Sequence, residues 1–206
     1  DVDGTVIVDY LNDFEPSIGT PFDVIRAGAL IDNNFSLAQV NGGLVEGSIA
    51  DLDANTQSLR LTAVNGKPFT ARNGSWDSAV DWADRIVPNT SNTVWIRGDD
   101  VRGTTAMGPE NDTAVLSLVV GSGNLQRSTT TTLTLDDGII TTLRGTTVRS
   151  DGVLAGQGTI AGDVYNLGRL APGQSPGRTT IDGTYTQGES GSLAIEIGGL
   201  SPADEY

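Results

Sequence analysis

The sequence predicts an all-β protein: a short β-solenoid, parallel β-helix-like, together with a small β-sandwich-like segment and no substantial helix. Three observations predict it. Gly supplies 27 of 206 residues and aromatics only 5%, a poor composition for one large core. It suits a narrow column of Val, Ile, Leu and Ala inside a stack of short strands. Residues 151–199 run as short β-type stretches (158–160, 163–165, 179–181, 184–186, 193–197) between glycines, whose freedom at positive φ serves tight corners. Finally, Gly123, Gly138, Gly152, Gly168 and Gly183 are separated by 15, 14, 16 and 15 residues. A near-period of that size fits three short edges and their corners, each rung stacking on the next.

The chain divides into residues 1–66, a β-sandwich-like segment; residues 67–100, Trp-rich cap and opening strands; and residues 101–206, the rungs. Val6, Ile7 and Val8 form the first β-rich run, directly after Gly4. Pro16 and Gly19 make a turn, residues 22–25 a strand, and Phe14, Phe22 and Phe35 the aromatic plug of the sandwich. Residues 42–64 predict a hairpin, with its turn at 51–55 and Leu59 and Leu61 on one face of the strand 58–64. Asp51, Asp53 and Asn55 have the spacing that opens a calcium loop, and calcium is the one cofactor the sequence raises. Thr56 stands where that loop needs Gly, and Thr62 where it needs a bidentate Glu, so a plain turn is the simpler reading.

Gly66-Lys67-Pro68 reads as a boundary. Beyond it, Trp76, Trp82 and Trp95 are expected to cap an open end of the stack, with stacking on a glycan as the alternative. Arg97, Asp99, Asp100 and Arg102 form the one local cluster that could hold calcium and a uronate in a polysaccharide lyase or hydrolase; a solvated turn is the plainer reading. Residues 116–120, 132–135 and 146–148 then predict successive rungs with inward Leu and Val. The Ser/Thr run at 128–132 predicts an exposed face.

Composition narrows the function. The chain has no Cys and no His, which excludes disulfides, thiol chemistry, Ser-His-Asp and Cys-His catalysis and most zinc sites. The net charge of −14 disfavours nucleic acid, whose phosphates need clustered Lys and Arg, and keeps an exposed surface solvated. No apolar run is long enough to span a membrane as a helix. A chain that opens at DVDGTVIV is read as processed or cut from something longer.

Residues 158–199 also carry Gly158, Gly162, Asn166, Gly168, Pro172-Gly173, Ser175-Pro176-Gly177, Gly183, Tyr185, Gln187 and Glu196-Ile197-Gly198-Gly199. In that order they resemble the autotransporter-associated β-strand repeat, found in autotransporter passenger domains and large secreted bacterial surface proteins. Residues 14–35 resemble the segment that often follows such a repeat, and residues 73–96 the Trp-rich opening of the next. The resemblance implies an extracellular structural or adhesive role without common catalytic residues. Because the segment that normally closes a unit comes first here, it also implies one period of a tandem array or a circularly shifted protomer. The expected partners are identical units, joined head to tail, with cell-surface glycans second. The joint is expected at Val6, Ile7, Val8, Leu193, Ile195 and Ile197, where β-runs leave open backbone edges.

Overall fold

The structure, a computed structural model, describes residues 2, 5–9, 17–31, 36–41, 44–53, 56–64, 66–97, 103–122, 129–173 and 177–195. The protein is all-β: among the described residues the only helical element is a single 3-10 turn, Ala79–Asp81. No described helix is long and apolar enough to cross a membrane. The chain forms two compact units, Asp1–Gly66 and Lys67–Tyr206.

The first unit holds β1 (Thr5–Asp9), β2 (Pro21–Ala27), β3 (Ser36–Asn41), β4 (Leu44–Asp53) and β5 (Thr56–Val64). β2, β5 and β4 form an antiparallel sheet in that order. The predicted hairpin is β4–β5, in register from Leu44 opposite Val64 to Asp53 opposite Thr56. Alternation along β5 buries Leu59, Leu61 and Ala63 on one face. Asp23 of β2 accepts hydrogen bonds from Arg60 and Arg26, both at 2.7 Å, and these hold its carboxyl down at about 2. The register slips between Asp23 and Ile25, which leaves Val24 as a bulge. β1 and β3 form a separate two-stranded parallel sheet, from Thr5 opposite Ser36 to Val8 opposite Gln39. Phe22 is half-buried; Phe14 and Phe35 lie outside the described residues.

The second unit is reached through β6 (Gly66–Pro68) and β7 (Asn73–Ser75). Then come β8 (Thr93–Ile96), β9 (Thr104–Met107), β10 (Thr113–Val115), β11 (Ser117–Val120) and β12 (Thr131–Thr142). β13 (Thr146–Val148), β14 (Gly152–Ala161), β15 (Val164–Asn166) and β16 (Arg169–Pro172) follow. β17 (Thr179–Asp182), β18 (Tyr185–Gln187) and β19 (Ser192–Leu193) finish it. One sheet has the order β6-β8-β11-β13-β15-β18 and the other β7-β9-β12-β14-β16-β19. From β8 to β18 and from β7 to β19 the pairing is parallel throughout. β10 and β17 pair in parallel with the second halves of β12 and β14, making a third row.

Each described pass of the chain therefore lays a strand on each of the two long rows and returns one ladder spacing further along. Like stacks on like. Leu133 lies opposite Leu154, which lies opposite Leu170; Ile140 lies opposite Ile160, which lies opposite Ile181. With Val94, Ile96, Leu118, Val120, Val148 and Val164 from the first sheet, they form one continuous column, buried except at Ile181, which is half-buried against it. Each fully buried Leu, Ile or Val stabilises the stack by roughly 1.5–3 kcal/mol relative to exposure. The long strands turn a corner within themselves. In β12 the register shifts between Asp136 and Ile139, and Asp137 takes φ 63°. Asp tolerates that left-handed conformation better than most side chains.

Three expectations need correction. Thr131 opposite Gly152 and Ile160 opposite Ile181 put successive coils 21 residues apart there, so the glycine near-period does not measure a coil. Gly138, Gly152, Gly168 and Gly183 mark places where backbone passes close to backbone: a Cβ on Gly152 would sit 2.3 Å from the Val120 carbonyl oxygen. Thr131 is not on an exposed face. It is buried, because the inward alternation of β12 starts with it. And the expected β-type stretches omit β16, which forms between 163–165 and 179–181.

Candidate functional site

The chemistry of this fold lies in its two ends, where a parallel ladder has to stop. At the first coil, residues 69–84 fold back over it. Phe69, Trp76 and Trp82 are buried, with Trp82 edge-on to both neighbours at centroid distances of 5.1 and 5.2 Å. Trp82 Nε1–H donates to the Trp76 carbonyl at 2.8 Å. The backbone edge is closed as well. Phe69 N–H donates inward to Trp95, so the flanking Pro68 carbonyl and Thr70 N–H point outward. Ala83 N–H donates to Pro68 O at 3.2 Å, and Thr70 N–H to Asp81 O at 2.8 Å. On the neighbouring row Trp76 N–H donates inward to Met107, and the outward Ser75 N–H is taken by the Asp81 carboxylate at 2.9 Å. Asp81 thus terminates two edges, one with its carbonyl and one with its side chain. Lys67, the single lysine of the chain, is buried and ties β6 to Asp84 at 2.7 Å. That hydrogen bond holds the Asp84 carboxyl below its usual value.

The last coil is built otherwise. Gly188 N–H donates to Asn166 O, Ser192 N–H to Gly168 O and Ala194 N–H to Leu170 O, all inward. By alternation the N–H and C=O groups of Tyr185, Gln187 and Leu193 point away from the stack. Among the described residues no strand lies on that side. Leu193 is 44% exposed and Ile195 61%, while Ile181 and Tyr185 rest half-buried against the core. Asn166 pins this coil from beneath. It is fully buried, donates to Tyr185 Oη at 3.1 Å and Ser192 O at 3.0 Å, and accepts from Gly168 N–H at 3.0 Å.

Of the residues singled out by sequence, Trp76 and Trp82 meet in the plug of the first coil. Both rings are enclosed, so neither offers a face for a sugar. Trp95 stands apart from that plug. Its Nε1–H donates to Gly121 O at 3.1 Å, and the Arg97 guanidinium lies 3.9 Å from its ring centroid. Arg149, buried near the same ring, donates to Ser122 O at 2.9 Å; burial pulls its pKa down to about 10. Leu193 and Ile195 are at the open end, and Ile197 lies outside the described residues. Val6, Ile7 and Val8 pair with Leu37, Ala38 and Gln39 in the first unit. Asp51 and Asp53 lie in β4, opposite Gln57 and Thr56, and Asn55 is not described. The described residues contain no group of three acidic side chains that could hold a metal ion. Asp99, Asp100 and Arg102 also fall outside the described residues.

Sequence reading missed Asp81 and the Lys67–Asp84 pair. A lone lysine in a chain rich in arginine is the one signal that could have drawn attention to the latter. No family model matches the chain, and no curated protein or solved structure matches it either.

Proposed function

We propose that this chain is a structural repeat unit of an extracellular bacterial surface fibre, sheath or adhesin stalk, joined head to tail with identical units. In this reading the second unit is a short β-solenoid akin to the autotransporter-associated repeat that residues 158–199 resemble. One observation carries it: among the described residues the stack has a closed end and an open one. The closed end has the Pro68 and Ser75 carbonyls and the Thr70 and Ser75 N–H groups taken, and its apolar face plugged. The open end presents a parallel strand edge with exposed Leu193 and Ile195 beside it. Such an edge recruits another strand, and a contact between unlike surfaces that does not close on itself propagates as a filament. The charge of −14 keeps a long assembly solvated.

The test is electron microscopy of the purified chain, with intact mass under denaturing conditions. Filaments that dissolve to the mass of one chain support the reading. A chain that stays monomeric in analytical ultracentrifugation from micromolar to millimolar concentration overturns it.

A further inference from the structure

We infer that the open edge of the last coil is completed by the β1–β3 ribbon of a second copy of this chain. The inference rests on the head-to-tail reading and names its joint. It follows from the hydrogen-bond geometry of the strand edges.

A strand added to β17, β18 or β19 continues a parallel ladder. The first coil of another copy is poorly placed to supply it, because Ala83 and Asp81 already bond the Pro68 carbonyl and the Thr70 and Ser75 N–H groups. The antiparallel sheet of the first unit is poorly suited at its β2 edge, where the bulge at Val24 interrupts regular pairing. Its β4 edge belongs to the same antiparallel sheet, so the better match for a parallel joint is β1–β3. It is the one parallel pair described in the first unit, and it stands as two strands alone. Parallel sheets are ordinarily larger and covered on both faces, so a two-stranded parallel ribbon is itself unfinished. Among the described residues each chain thus carries two incomplete parallel sheets, one ending in an apolar edge around Leu193 and Ile195, the other starting with Val6-Ile7-Val8. Placing the ribbon of one copy on the last coil of another completes both.

The absence of cysteine makes the test clean. Single variants Val6→Cys, Ile7→Cys and Val8→Cys cover both strand faces. Each is mixed with an isotopically heavy Leu193→Cys chain under mild oxidation, and the products are weighed intact. The expected result is a mixed disulfide dimer, containing one light and one heavy chain, from at least one of the three mixtures. If a chain carrying both cysteines closes on itself and no mixed dimer forms, the ribbon covers its own edge and the second-copy inference is overturned. If assemblies form but no pair cross-links, another segment fills the edge: this inference falls while the head-to-tail reading stands. A second variant is independent of the cross-link. Leu193→Pro removes an outward N–H and leaves the inward bonds of Ser192 and Ala194 in place. It is expected to weaken association at least tenfold with little change in thermal unfolding; unchanged association overturns the inference.

Discussion

The first and last coils of the second unit use the same parallel ladder, yet they stop it by opposite means. At the first coil an irregular segment crosses back and bonds to the outward backbone of β6 and β7, while two tryptophans fill the end of the core. At the last coil Asn166 orders the chain from underneath and Gln187 links Tyr185 to Gly191 within the coil, while among the described residues the outer side keeps an edge. A stacked fold has no intrinsic length, since each coil satisfies the one before it and exposes the same need again. Its ends are where sequence has to intervene. Here only one end carries such an intervention among the described residues, and that asymmetry gives the molecule a direction.

The largest test removes the plug. Trp82→Ala deletes a fully buried ring, the edge-to-face contacts with Phe69 and Trp76, and the bond to the Trp76 carbonyl. The expected loss is about 3–5 kcal/mol of stability of the second unit, read by urea unfolding. A loss below about 1 kcal/mol would mean that the end is held by its backbone bonds alone. Next is Asn166→Ala at the other end. It leaves the Gly168 N–H and the Ser192 carbonyl without that partner inside the stack. The expected loss is about 1–3 kcal/mol. Hydrogen exchange should quicken at Gly188, Ser192 and Ala194 while Thr70 and Ala83 are unchanged. Equal quickening at both ends would erase the distinction between them.

The sequence made the last coils more legible than the first. Glycine punctuation and short β-branched runs placed β15, β17 and β18 within a residue or two, because those strands are local and bounded by corners. Alternation along β12 and the tryptophans of the plug were readable for the same reason: apolar side chains declare which way they face. The length of a coil was not readable. It depends on which strand lies beneath which, and that register is set by contacts some twenty residues apart. β16 was hidden because Arg169–Pro172 has too little apolar weight to mark a strand; only Leu170 is deeply buried. The backbone half of the cap was hidden as well. Its bonds come from the main chain of residues 81 and 83 and from one carboxylate, none of which follows a hydrophobic period.

Asp81 offers a finer way to open the closed end. Asp81→Ala keeps the main-chain bond to Thr70 and loses only the carboxylate on Ser75 N–H. The expected cost is about 1 kcal/mol, with faster exchange at Ser75 and unchanged exchange at Thr70. Simultaneous release of both amides would show that the carboxylate holds the whole segment in place and not one edge.

The smallest effect is acid loosening of the same end. Lys67 bonds the Asp84 carboxylate and lowers its pKa below the ordinary 3.8. A carboxyl with a depressed folded pKa contributes stability that is present above its unfolded value and disappears as pH falls through the folded one. Asp84 is half exposed, so the contribution is modest. Between pH 5 and pH 2 the exchange protection of Thr70 and Ala83 should therefore decline, with the decline centred below 3.8. In Asp84→Asn that component of the pH dependence should vanish, and its protection at pH 5 should already be reduced. If Asp84→Asn titrates like the parent chain, the buried lysine is held by packing alone, and the closure of the first coil rests on its tryptophans and its backbone.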